Sequence, residues 1–309
     1  MDWTVSAEDA GVRLDKFLAA GDRLGSRKRA SVALDRAKVF VNDVEAPADA
    51  GATRLAAGDR VRVWMDRPGS SRSRTPVRSG DLHILYEDGS LIVLDKPAGL
   101  LAVPLERQEQ ADSVLDQLVA YLRPQGKRKP LVVHRIDRDT SGLVVFAKTV
   151  AAQRALREQF KRHTVQRIYR AVVYGHPDPP SAVWRDRLVW DQKALVQKAT
   201  HPRDPKGKDA VCRYETLERF ATASLIEVRL ETGKRNQIRL QARLRGHTLV
   251  GERRYVYGPD ELRPIVFPRQ ALHAFRLEFL HPATGAALRF EAGMPPDLVA
   301  LLARLRRSA

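Results

Sequence analysis

The segment HRIDRDTSG, residues 134–142, sets His134, Arg135, Asp137, Asp139, Thr140 and Ser141 close together between the apolar runs LVV and LVVFAK. An ionised carboxylate in such a loop can serve as a nucleophile or as a general base. Catalytic groups concentrate on loops held by a rigid scaffold, but a single Asp in a loop is also a common turn or capping residue. Spacing alone leaves both roles open for Asp137. Other chemistries lose support, because the chain has no GxxxxGK[ST] phosphate loop, no GxGxxG opening a helix after a strand, and no Cys/His ligands at zinc spacing. Its eight histidines are scattered, so neither a metal nor a cofactor is expected.

The charge balance points to the partner. Against 37 Asp and Glu the chain carries 54 Lys and Arg, a formal net charge of +17. Such a surface binds polyanions, and nucleic acid above all, by releasing counterions from neutralised phosphates. An anionic membrane is the weaker reading, since no apolar run approaches the roughly 20 residues that span a bilayer. The single cysteine, Cys212, excludes an internal disulfide and reads as a buried strand residue. The N-terminal MDWTVSAEDAG has neither an apolar signal core nor an Arg-rich transit pattern, so a cytoplasmic monomer is expected.

The elements that must position the loop follow from periodicity. MDRPGSSRSRTPVRSG, residues 65–80, is rich in Ser, Pro, Gly and Arg and reads as a flexible basic linker between modules spanning 1–64 and 81–309. In the small module Leu14, Phe17 and Leu18 share one helical face. A second helix is capped by Ser26, buries Ala30, Leu34 and Ala37, and carries Arg27, Lys28, Arg29, Arg36 and Lys38. VFVN and DRVRVW read as strands. In the large module strands flank the turn EDGS and run to a Lys-Pro-Ala-Gly bend. Thr149 caps a helix, IYRAVVYG and SLIEVRLET are strands, and Asn236 caps a helix QIRLQARLR that Gly246 closes.

Helix, basic helix, short strand and terminal GDRVRV resemble the S4 RNA-binding domain. A charge run is usually only a solvated face. Here the basic residues cluster on one helix while acids and bases nearly balance elsewhere in the module, as a backbone-reading surface requires.

The large module resembles the RluA-type pseudouridine synthase family over about residues 82–298. HRIDRDTSGLVVFAK is similar to its HRLDxxTSGLLxxAK signature, with Ile136 for Leu, and LDKPAGLLAV to its KPxGLxV segment, with Pro104 where His is common. QRIYRAVVYG resembles KxYxAxVxG, ETGKRNQIRLQ resembles ETGRTHQIRVH, GHTLVGERRYVYG resembles GHPLVGDxxYG, and LHAFRLEFLHPATG resembles LHAxxLxFxHPxTG. The fold this implies is α+β, with a mixed, largely antiparallel-sheet catalytic domain behind a small α/β S4-like domain.

The resemblance implies isomerisation of uridine to pseudouridine without cofactor: C1′–N1 breaks, C1′ joins C5, and the C5 proton leaves. It makes Asp137 the catalytic carboxylate, as nucleophile or base, and Arg239 the guanidinium that keeps it ionised. Tyr169 would stack on the target base and receive the C5 proton, and Ile238 would form an apolar wall beside it. Arg135 would hold the space left by a flipped nucleotide, since a stacked uracil is out of reach. His134 reads as a structural hydrogen bond, while Lys96 and the run KRK at 127–129 read as phosphate contacts or solvated charges. Lys234, Arg235, Asn236 and Gln241 depart from the family's usual Arg, Thr, His and His, which points to an altered fit on the RNA side of the cleft. Large-subunit ribosomal RNA is the first expectation for the substrate and transfer RNA the enzymatic alternative. A catalytically silent, RNA-binding ribosome-assembly factor is the alternative from another class, and intact Asp137, Tyr169 and Arg239 stand against it.

Overall fold

The structure, a computed structural model, describes residues 1–35, 38–46, 50–64, 82–104, 113–123, 129–192, 194, 196–256 and 259–308. The expected linker 65–80 and Arg36, Ala37, Lys127 and Arg128 lie outside them. The chain divides into two compact units, Met1–Arg78 and Ser79–Ala309. Among the described residues no helix is long and apolar enough to cross a membrane.

The first unit contains β1 (Asp2–Thr4), α1 (Leu14–Leu18), α2 (Arg27–Asp35), β2 (Val39–Val41), β3 (Val44–Glu45) and β4 (Arg60–Val63). Its antiparallel sheet has the order β1-β4-β2-β3, in which β1 and β3 were not legible from periodicity. Leu14, Phe17 and Leu18 of α1 pack with Ala30, Ala33 and Leu34 of α2 over Val39, Val61 and Val63. Ser26 starts α2 as expected, its Oγ accepting the Arg29 N–H at 3.2 Å. Arg27, Lys28 and Arg29 are exposed in the first turn of α2.

The second unit is built on β5 (His83–Glu87), β6 (Leu91–Lys96), α3 (Val114–Leu122), β7 (Leu131–Val132), β8 (Ser141–Ala147), α4 (Val150–Lys161) and β9 (Gln166–Tyr174). It continues through β10 (Ser181–Asp191), β11 (Val196–Ala199), β12 (Lys208–Arg219), β13 (Ala223–Leu230), α5 (Gln237–Leu244), β14 (Leu272–Leu280), β15 (Ala287–Glu291) and α6 (Pro296–Arg307). The described strands form one mixed sheet ordered β11-β10-β12-β13-β9-β14-β8-β6-β5, with β15 on β14 and β7 on β8.

Both faces of this sheet are covered, which explains why LIVL and GLVVFA read as continuous apolar runs rather than alternating ones. Ile92, Leu94, Val144, Phe146, Tyr169 and Ala171 turn to one face, where α3 and α5 pack. Leu91, Val93, Leu143 and Val145 turn to the other, beneath Ala152 and Leu156 of α4. Thr149 caps α4 through the Ala152 N–H at 3.1 Å. Ser113 caps α3, a helix the sequence reading left unassigned, through the Asp116 N–H at 3.2 Å.

The pairing of β8 with β14 is parallel and brief, joining His273 to Ser141 and Ala274 to Gly142. It brings two backbones together just where the HRIDRDTSG loop enters β8. Gly142 has φ +109, and a Cβ there would collide with the Ala274 backbone, so the glycine of this motif is required by packing.

Candidate active site

The loop carrying Asp137 is bolted down on three sides. From β8, the Val145 N–H donates to His134 Nε2 at 3.1 Å, and the His134 ring stacks on Phe160 at 4.6 Å between centroids. Burial pushes the His134 imidazole down to about 3, so it is the neutral acceptor that this bond needs. The structural role expected for it agrees with this geometry.

From the Lys-Pro-Ala-Gly bend, Lys96 Nζ donates to the carbonyls of Pro97, Leu100 and Arg138, each at 2.8 Å. The Gly99 N–H reaches the same Arg138 carbonyl at 3.0 Å. Here the sequence reading needs correction. Lys96 is neither a phosphate contact nor solvated; it is fully buried, because its ammonium supplies the donors that satisfy three inward-facing carbonyls. That burial pushes its pKa down to about 7.

From the segment just before β14, Arg269 Nη1 donates to the Asp139 carbonyl at 3.1 Å, and Gln270 Nε2 to Thr140 Oγ1 at 3.3 Å. Arg269 is itself gripped by Asp297 of α6, at 2.7 and 3.0 Å. With its flanks held in this way, the Asp137 side chain is left facing a cleft of about 1250 Å3.

Five expected site residues, Arg135, Asp137, Tyr169, Ile238 and Arg239, line that one cleft. They come from the loop before β8, from β9 and from the first turn of α5. Arg27, Lys28 and Arg29 belong to the first unit. Burial raises the Tyr169 phenol pKa, opposed by the charge of Arg167, and so keeps it protonated. A neutral phenol suits stacking and is a poor acceptor for a carbon-bound proton.

Arg239 Nη1 donates to Asp137 Oδ2 at 2.9 Å, so the expected ion pair forms. Asp137 takes only one prong of this guanidinium. The guanidinium fork is taken by Glu252, with Nε to Oε2 at 2.6 Å and Nη2 to Oε1 at 2.8 Å. Glu252 Oε1 also accepts the backbone N–H groups of Arg253, Arg254 and Tyr255. Against the cost of burial, the hydrogen bonds and charge of Glu252, followed by Asp137, hold Arg239 above its usual pKa. Glu252 was missed by sequence reasoning. The signal was there as the acid of GHTLVGERRYVYG, but nothing local ties it to Arg239.

Asn236 precedes α5 as expected but does not cap it with its side chain; the residue is left-handed, with φ 52°. Its Oδ1 instead accepts from Arg239 Nη1 at 2.9 Å, and its Nδ2 donates to the Tyr255 hydroxyl at 3.0 Å. Lys234, Arg235 and Asn236 line the cleft. Gln241 does not. It is buried beneath the sheet, where its Nε2 donates to the carbonyls of Trp184 and Ala210 and to Asp186, and its Oε1 accepts from Cys212 and Gln237. One of the four departures is therefore a matter of packing and not of the cleft.

Comparison with known proteins identifies the family. The family described as RNA pseudouridylate synthase matches residues 90–244. "Uncharacterized RNA pseudouridine synthase YlyB" of Bacillus subtilis is 35% identical, covering 100% of this chain and 99% of that protein. "Ribosomal large subunit pseudouridine synthase D" of Neisseria meningitidis is 36% identical over 99% of this chain and 82% of its own length. The protein of the same name from Zymomonas mobilis is 35% identical over 98% and 96%. Among solved structures, "Human RNA Pseudouridylate Synthase Domain Containing 4" shares the fold, with a TM-score of 0.59 at 23% identity over 72% of this chain and 93% of that one. Sequence family and fold lead to one conclusion: the chain belongs to the RNA pseudouridylate synthase family and is an RNA pseudouridine synthase, an isomerase.

Proposed function

We propose that this enzyme isomerises uridines of large-subunit ribosomal RNA, with Asp137 as its catalytic carboxylate. The observation that carries the assignment is the ion pair of Asp137: its side chain is held by Arg239 at 2.9 Å yet stays 27% exposed. A carboxylate that is oriented but still accessible can attack the ribose or take its C2′ proton, and either step loosens the C1′–N1 bond. The freed uracil turns, C1′ joins C5 as the carboxylate leaves the sugar or returns the C2′ proton, the C5 proton departs and N1 takes a proton, so atoms balance without a cofactor. Tyr169 supplies the stacking surface for the base, Ile238 the apolar wall, and Arg135 the group that enters the RNA as the nucleotide swings out.

The RNA target rests on two supports. Relatives named as large-subunit ribosomal enzymes align with nearly the whole chain, and the net charge of +17 suits a large polyanion. The first unit fits an S4-type RNA-binding role. Arg27, Lys28 and Arg29 sit in the first turn of α2, where the helix dipole disfavours cations by about 0.3–1 kcal/mol each, and none has a carboxylate at salt-bridge distance among the described residues. An RNA backbone would supply the missing anions.

The test is to map pseudouridine in the RNA of cells that lack this gene and are complemented with either the wild-type chain or Asp137→Asn. The expected outcome is that positions in large-subunit ribosomal RNA return with the wild type only, while the purified variant still binds that RNA. Positions returning in transfer RNA would move the substrate. Restoration by Asp137→Asn would end the assignment of the carboxylate, and no position depending on the wild type would favour a silent assembly factor.

A further inference from the structure

Three of the four departures from the family's usual third motif, Arg235, Asn236 and Gln241, reach β10 or β11, directly or through Tyr255. Arg235 lies over Trp190, at the end of β10, with its guanidinium carbon 4.2 Å from the ring centroid. Asn236 binds the Tyr255 hydroxyl, which also accepts the backbone N–H of Gln197 at 3.0 Å, and Gln197 is the β11 residue paired with Trp190. Gln241 anchors Trp184 and Asp186 of the same β10. These three altered residues are thus fitted to the β10–β11 hairpin.

Trp190, Lys234 and Arg235 line the cleft that holds Asp137, and Arg235 is exposed apart from its contact with the ring. No carboxylate lies at salt-bridge distance from Arg235 among the described residues. Arg135 shares the cleft, where burial, and then the charge of Arg235, lower its pKa against the opposing charge of Asp137. A planar cation backed by an indole, beside Lys234 and Arg135 in the same cleft, presents what an unpaired nucleotide binds: a flat surface for its base and positive charge for its phosphate.

We propose that Trp190 and Arg235 form a stacking subsite for an unpaired nucleobase flanking the target uridine, the base lying on the Arg235 guanidinium with Trp190 behind it and its phosphate drawn to Lys234. The assignment rests on the reading of the cleft as a uridine site and extends it to a neighbouring nucleotide. The hydrogen-bond chain from Gln197 through Tyr255 and Asn236 to Arg239 ties this platform to the guanidinium that orients Asp137. A flanking base seated on the platform would therefore hold the uridine in register with the carboxylate.

Two measurements on the full chain test the subsite. In the first, short single-stranded RNAs carrying 2-aminopurine, a fluorescent base that dims on stacking, are titrated with the protein. Dimming is expected with the wild type and Trp190→Phe, which keeps a flat ring. It should be lost in Trp190→Ala, in Arg235→Thr and in Arg235→Lys, which keeps the charge but not the plane. In the second, pseudouridine formation is followed on an unmodified large-subunit ribosomal RNA transcript. Trp190→Ala and Arg235→Lys should raise KM on the order of tenfold and lower kcat far less, with Trp190→Phe close to wild type. Rescue of both readouts by Arg235→Lys would reduce the subsite to a charge contact and overturn it, as would wild-type dimming in Trp190→Ala. No turnover by the wild type on the transcript, with dimming still dependent on Trp190 and Arg235, would sink the ribosomal RNA reading and leave the subsite standing.

Discussion

Asp137 and Glu252 grip the same guanidinium, and they could hardly be held more differently. Asp137 makes one contact with Arg239, at 2.9 Å, and keeps 27% of its side chain exposed. Glu252 takes the guanidinium fork, accepts three backbone N–H groups besides, and is fully buried. A buried carboxylate with both oxygens bound is an anchor, whereas one with lone pairs facing a cleft can still accept from a substrate. Without Glu252, Arg239 would have to be oriented by Asp137 itself. With it, the cation is already aimed and Asp137 keeps an oxygen for substrate.

The largest effect should come from a substitution that disturbs both carboxylates. Arg239→Lys keeps the charge, but an ammonium cannot hold the Glu252 fork and reach Asp137 together. Turnover should fall on the order of a hundredfold through lost positioning, and the unfolding free energy should drop by about 3 kcal/mol as Glu252 loses its partner. Wild-type turnover and melting in this variant would mean that neither carboxylate needs the fork. Glu252→Gln should cost less, because the amide oxygen still accepts backbone N–H groups. An expected loss of about 2 kcal/mol in urea unfolding and roughly tenfold in turnover would mark Glu252 as the anchor, and loss of stability at unchanged turnover would divorce it from the chemistry.

The smallest effect concerns the loop on the Asp137 side and is read by pH. His134 has its pKa lowered from 6.5 to about 3, so between those values the unfolded chain binds a proton that the folded chain does not. Stability should therefore rise with pH across this window and be lost as pH falls through it, by up to about 1.4 kcal/mol per pH unit. His134→Gln, which can still accept the Val145 N–H, should show a shallower acid slope than the wild type in unfolding measured at a series of pH values. Parallel slopes would show that His134 is not what acid attacks in this loop.

Much of this site could be read before any coordinates, because the information was local. Apolar runs on both sides of HRIDRDTSG mark a loop between strands, Thr149 and Ser26 announce helix starts, and Val61 and Val63 alternate with arginines. Each is a pattern of period two or four, or a capping hydrogen bond spanning three residues. The short strands β1 and β3 escaped because so few residues carry no period. Helix α3 is apolar enough that its short run reads equally as a buried strand.

The sequence by itself determined which residue types stand ready and in what local conformation: a carboxylate in a loop, a tyrosine in a strand, an arginine in the first turn of a helix, and a basic chain suited to RNA. Partnership was decided only by the tertiary structure. Lys96 looks solvated next to a proline, yet it closes on the Arg138 carbonyl 42 residues away. Asp137 meets Arg239 across 102 positions. Glu252 and Asn236 take up three more donors of the guanidinium, and Gln241 is buried rather than in the cleft. The reason is physical. Burial and hydrogen-bond satisfaction depend on which strands become neighbours, and the parallel join of β8 to β14 that places this loop is made by residues 132 positions apart, a pairing no local pattern encodes.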